Sequence, residues 1–94
     1  MPGYNRAPLS AEVTVVPSPQ GREPPRAQIE AAREAARASG LAHESGPDTT
    51  LLAGARSEVL EAAFKAVEAS LDAGAHIVQV KVEAAADAGR FGAT

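Results

Sequence analysis

Cysteine is absent from the 94 residues. That excludes disulfide scaffolds, thiolate metal sites and cysteine nucleophiles, and it fits a reducing compartment. Tryptophan is absent too, and the aromatic side chains are one Tyr and two Phe. Large apolar residues are therefore scarce: the apolar share of 45% is mostly alanine, which buries little area. No run is long or apolar enough to span a bilayer. The opening residues, Met1 to Pro8, lack the apolar middle of a signal peptide. Basic residues are few and dispersed, and the net charge is −3, so there is no electrostatic footprint for nucleic acid. These absences predict a soluble, cytoplasmic protein with neither membrane nor nucleic acid as a partner.

A chain of this length forms one domain with a thin stability margin. A thin, alanine-rich core is commonly supplemented by surface buried between subunits. A homo-oligomer, dimer or tetramer, is the expectation.

The pattern along the chain is legible. Met1 to Pro8 reads as a flexible leader. From Leu9 to Val16, Leu9, Ala11, Val13 and Val15 alternate with Ser10, Glu12 and Thr14, the period of a half-buried strand. Pro17 to Pro25 is a loop. Arg26 to Ser39 is built of good helix formers, with Ile29, Ala32 and Ala36 on one face and Gly40 as the C-terminal cap. Glu30 and Glu34 stand against Arg33 and Arg37 on its wetter side. Leu41–Ser45 and Thr49–Ala53 are short strands joined by a turn at Gly46-Pro47-Asp48.

Ser57 is the predicted N-cap of a second helix, Glu58 to Ala73. In that helix Leu60, Phe64, Val67 and Leu71 form the predicted core stripe. His76 to Glu83 is the last strand, with Val78, Val80 and Val82 facing one way and Gln79, Lys81 and Glu83 the other. Residues 84–94 read as a flexible tail. The order strand, helix, strand, strand, helix, strand predicts an α+β domain over 9–83 of the ferredoxin-like βαββαβ kind. It has a four-stranded antiparallel sheet with both helices on one face. The other sheet face is left open to water, a partner subunit or a ligand.

Chemistry is thinly signalled. His43 and His76 each stand alone in a strand, without a second ligand at metal-binding spacing. No nucleophile elbow or triad can be assembled from the Ser and Thr residues, and Gly46-Pro47-Asp48 is not a phosphate loop. We expect no catalysis, no metal and no cofactor.

Glu12, Gln79 and Lys81 come together on the open face if the first and last strands are neighbours. They form either a polar cluster for a small ligand or a Glu12–Lys81 pair that only keeps the face soluble. Thr49 and Thr50 either begin a strand, as β-branched residues do, or turn a hydroxyl toward a ligand near the hairpin.

The opening strand Ala11-Glu12-Val13-Thr14-Val15-Val16-Pro17 and the hairpin from His43 to Gly54 resemble the small thiamine-binding proteins of the YkoF-like group. In that family the hairpin commonly reads Tyr-x-x-Gly-Pro-Met-Gly-Thr-x-x-Glu-Gly. The helix end Ala73-Gly74-Ala75, followed by a Val-rich strand with Lys81, is similar as well. The resemblance runs from Leu9 to Glu83. His43 stands where Tyr is usual, Asp48 where Met is, Thr49 where Gly is, and Ala53 where an acid is.

The resemblance implies a ferredoxin-like fold, dimers or tetramers assembled through the sheets, and non-catalytic binding of thiamine or its pyrimidine moiety by a carrier or sensor. Glu12, Thr50 and Lys81 occupy matching positions, and His43 is a weaker candidate that would stack in place of an aromatic ring. Thiamine's permanent positive charge and aminopyrimidine suit a carboxylate, a hydroxyl and an aromatic face. With Tyr4 and Phe91 in the tails and Phe64 in the predicted stripe, an aromatic clamp would come from a tail or another subunit. The alternative is a ligand-free interaction module whose open sheet face serves homo-oligomerisation.

Overall fold

A computed structural model describes residues 8–84. All of the predicted leader but Pro8 and all of the predicted tail but Ala84 lie outside them, as do Tyr4 and Phe91. The elements run β1 (Leu9–Val16), α1 (Pro25–Ser39), β2 (Ala42–Ser45), β3 (Thr49–Gly54), α2 (Arg56–Asp72) and β4 (Ile77–Ala84). The four strands form one sheet in the order β2-β3-β1-β4, with every neighbouring pair antiparallel. This is the ferredoxin-like α+β arrangement.

The alternation of β1 produces its burial. Leu9, Ala11, Val13 and Val15 are buried under the helices, while Ser10, Glu12 and Thr14 lie half-buried on the opposite face. Leu52 and Thr50 of β3 join the buried side, and Ala32 and Ala36 of α1 close over it. Pro24 and Pro25 begin α1, where a missing N–H costs nothing. Gly40 ends it with a positive φ of 79°, donating its N–H to Arg37 O.

Two expectations for α2 fail. Its N-cap is Ala55, not Ser57, and no side chain caps it. Its buried face is Val59, Ala62, Ala63, Ala66 and Ser70, whereas Leu60, Phe64 and Leu71 are exposed, Phe64 by 63%. The physical reason is size. Small side chains let α2 lie close upon α1 and the sheet, and the bulky stripe is turned outward. Ser70 is tolerated inside because its hydroxyl bonds back to Ala66 O and Val67 O, both at 3.0 Å.

The valines of β4 take the predicted side. Val78, Val80 and Val82 pair with Val15, Val13 and Ala11. The helices do not cover all of them, and Val80 and Val82 stay 42% and 44% exposed.

Gln28 is a buried polar residue that the pattern did not flag. It is fully buried in α1 and ties down the loop after β1. Its Oε1 accepts from Ser18 N–H at 2.8 Å, and its Nε2 donates to Ser18 O and Glu23 O at 2.8 and 2.7 Å. Glu23 N–H in turn donates to Ala73 O at 2.8 Å. Gly21 and Gly74 meet at this crossing so closely that a Cβ on either would strike the other's backbone. Gly74 also has a φ of 108°.

Candidate functional site

The face of the sheet away from the helices is laid out by register. Directly opposite partners in antiparallel strands point to the same side. Glu44 is opposite Leu51, Leu51 opposite Glu12, and Glu12 opposite Lys81. One row therefore crosses all four strands on the open face: carboxylate, isobutyl, carboxylate, ammonium. The next row is Thr49, Thr14 and Gln79, on β3, β1 and β4. On the other side of the first row stand Ala42, Ala53, Ser10 and Glu83.

Glu12, Lys81, Gln79 and Thr49 are thus brought together. Glu12 and Lys81 are opposite one another, yet the ion pairs among the described residues are Arg33–Glu30, Arg37–Glu34 and Lys65–Glu61.

Thr50 and His43 are not part of this face. Thr50 pairs with Val13 and is 1% exposed, beneath the helices. His43 pairs with Leu52 and so points to the helix side, at the far edge of the sheet. Its Nδ1 lies 2.9 Å from Leu41 O. Leu51 and Glu44 are the members that sequence reasoning missed. The signal was present: Glu44, Leu51 and Thr49 share the parity that places them with Glu12 once the hairpin register is known.

The hairpin turn is anchored from two sides. Val15 N–H donates to Asp48 O at 2.9 Å. Arg33 reaches from α1 to donate through Nη2 to Gly46 O at 2.5 Å and Pro47 O at 3.3 Å, while its Nη1 holds Glu30 at 2.7 Å. Thr49 therefore starts β3 from a fixed turn.

A cavity of about 540 Å³ lies between the helices, bordered by Ala35, Ser39, Leu41, Glu58, Glu61 and Lys65. A second, of about 390 Å³, lies by Arg26, Arg33 and Pro47. Neither borders Glu12 or Lys81. The open face is a patterned surface, and a ligand seated on it needs a second wall from elsewhere.

The family model for thiamine-binding proteins matches residues 11–91. The chain belongs to the thiamine-binding protein family. Solved structures agree on the fold. A domain of unknown function, DUF77, from Bacillus cereus is 26% identical with a TM-score of 0.65, over 81% of this chain and 72% of that one. A Thermotoga maritima protein, named as a candidate thiamine biosynthesis/salvage protein, is 20% identical with a TM-score of 0.66, over 81% and 82%. A hypothetical protein from Methanocaldococcus jannaschii is 23% identical with a TM-score of 0.66, over 82% and 79%. No curated protein sequence matches the chain.

For a thiamine-binding family member the open face has apt chemistry. A carboxylate accepts from an exocyclic amino group, or faces a fixed cation, with a charge-assisted bond. Leu51 offers an apolar platform between Glu44 and Glu12. Thr14, Thr49 and Gln79 add short hydroxyl and amide partners. Among the described residues no group of three or more His, Cys, Asp or Glu could hold a metal ion. No described helix is long and apolar enough to cross a membrane.

Proposed function

We propose that this protein binds thiamine, or its pyrimidine moiety, on the open face of the sheet, without catalysis and as an oligomer. The row Glu44–Leu51–Glu12–Lys81 carries the reading. It sets two carboxylates about an apolar platform at the centre of a face that no described helix covers, in a chain of the thiamine-binding family. Glu12 is the primary anchor, on a central strand. Glu44, Thr49 and Gln79 orient the heterocycle, and Lys81 limits how much positive charge the site accepts. The second wall comes from another subunit. Thr50 and His43 act at most through the position of the hairpin. The protein works in the cytoplasm as a carrier or sensor, because binding without turnover delivers or reports a ligand.

Isothermal titration calorimetry with thiamine, beside a light-scattering mass, tests the reading. Binding at micromolar or lower concentration by an oligomer is the expected result. No heat with thiamine, its phosphates or its pyrimidine alcohol would sink it.

A second reading is a ligand-free interaction module. Val16, Leu51 and Ile77 are each more than a third exposed on the open face, which suits a sheet packed face to face with another copy. An oligomer that binds none of these compounds would favour it.

A further inference from the structure

The cations of residues 8–84 are divided unevenly between the two layers. Arg26, Arg33 and Arg37 belong to α1, Arg56 and Lys65 to α2, and Arg22 to the loop that meets Gly74 after α2. All six belong to the helical layer or the loop beside it. Among the described residues, Lys81 is the one cation on the open face.

The carboxylates of that face outnumber it. Glu44 and Glu12 share the row with Leu51, and Glu83 is opposite Ser10 on the same side. Three carboxylates against one ammonium give the described face a net charge of −2. Lys81 is hemmed in by two of them. Glu12 stands directly opposite, where Cβ atoms lie about 5 Å apart. Glu83 is two residues further along the strand on the same side, about 6.6 Å away. An anion that approaches Lys81 enters the field of both carboxylates.

A phosphate site is ordinarily built from several converging donors: arginine forks, lysines, or the N–H groups of a helix N-terminus. The described open face offers Lys81 alone. Both described helices begin in the other layer, α1 at Pro25 and α2 at Arg56. What the face does offer beside its carboxylates is the row Thr49, Thr14 and Gln79, whose hydroxyl and amide groups suit an uncharged hydroxyl.

We propose that the open face selects the unphosphorylated, cationic form of its ligand and rejects the phosphate esters. This deepens the function proposed above and rests on it. Thiamine carries one fixed positive charge, and its esters form at the hydroxyl of its side chain. A phosphate monoester adds about −1.5 to −2 near pH 7, so esterification turns the cation into an anion. Against a negatively charged face the sign of the interaction reverses.

Calorimetry of the full chain with thiamine, thiamine monophosphate and the acetate ester of thiamine tests the selection. Thiamine should bind roughly tenfold or more tightly than the monophosphate in about 0.1 M salt. The preference should shrink in about 1 M salt, where the screening length falls from about 10 Å to about 3 Å. The acetate ester adds bulk without charge and should bind nearly as well as thiamine. Glu83→Lys leaves two carboxylates and two ammonium groups on the face. It should narrow the preference by roughly threefold or more, with an unchanged circular dichroism spectrum. Glu34→Lys makes the same change in net charge at an exposed position of α1 and should leave the preference as it is.

Equal or tighter binding of the monophosphate would overturn the selection and leave thiamine binding intact. So would an acetate ester rejected as strongly as the phosphate, since bulk and not charge would then decide. A preference indifferent to salt, or altered equally by Glu83→Lys and Glu34→Lys, would also overturn it. No binding of thiamine at all would sink the function proposed above, and the selection with it.

Discussion

Glu12 and Lys81 stand directly opposite each other across β1 and β4, on the sheet face that no described helix covers, without an ion pair between them. On the function proposed above, the Glu12 carboxylate meets the ligand's cation or amino group. Glu12→Gln keeps shape and removes the charge. Thiamine affinity should fall at least tenfold, about 1.4 kcal/mol, by calorimetry. Glu34→Gln, on the exposed side of α1, is the control and should leave affinity unchanged.

Arg33 fixes the hairpin through the carbonyls of Gly46 and Pro47. Arg33→Ala should cost about 1–2 kcal/mol, because the side chain is partly exposed and its bonds are charge-assisted. Amide exchange should quicken from Glu44 to Thr50. Arg33→Lys should recover little, since an ammonium lacks the fork that spans the two carbonyls while holding Glu30. Unchanged exchange in Arg33→Ala would show that the backbone bonds Val15 N–H to Asp48 O and Gly46 N–H to Thr49 O hold the turn without Arg33.

Gln28 satisfies three backbone groups from a fully buried position. Gln28→Ala should destabilise the fold by roughly 2–4 kcal/mol in urea unfolding, because it strands Ser18 and Glu23 and leaves a cavity. Gly74→Ala should be comparably harmful, since its backbone conformation and the neighbouring Gly21 both reject a Cβ.

The small-residue face of α2 predicts an inverted mutational pattern. Ala66→Leu, at a fully buried site, should cost about 1–3 kcal/mol through overpacking. Leu52→Ala, also fully buried, should cost about 2–5 kcal/mol. If Ala66→Leu melted no lower than the wild type, the close approach of α2 would be disproved.

The exposed Glu34–Arg37 pair gives a modest pH effect. Hydrogen bonding and attraction from Arg37 hold the Glu34 carboxyl below its ordinary value. The stability it contributes is present above the unfolded carboxyl's pKa and is lost as pH falls through the lowered folded value. Arg37→Gln should move Glu34 upward in a carboxyl NMR titration.

The sequence by itself determined the elements, their order and which residues share a face within the first and last strands. Period two in Leu9–Val16 and in Ile77–Glu83, and Gly40 after a run of helix formers, are local properties of the chain. They required nothing distant to be known. The hairpin motif and the opening strand carried the family likewise.

The tertiary structure decided what lies against what. Helical spacing marked Leu60, Phe64 and Leu71 as a stripe. It could not tell that the neighbouring alanines, by permitting a closer approach, would take the inside. The motif offered Thr50 and His43 as site residues. Pairing with Val13 and Leu52 turned both to the helix side and brought Leu51 and Glu44 to Glu12 instead. Alternation says that neighbours in a strand face opposite ways, but only the register of one strand on the next says which way each faces. That register is set by the packing of the whole domain.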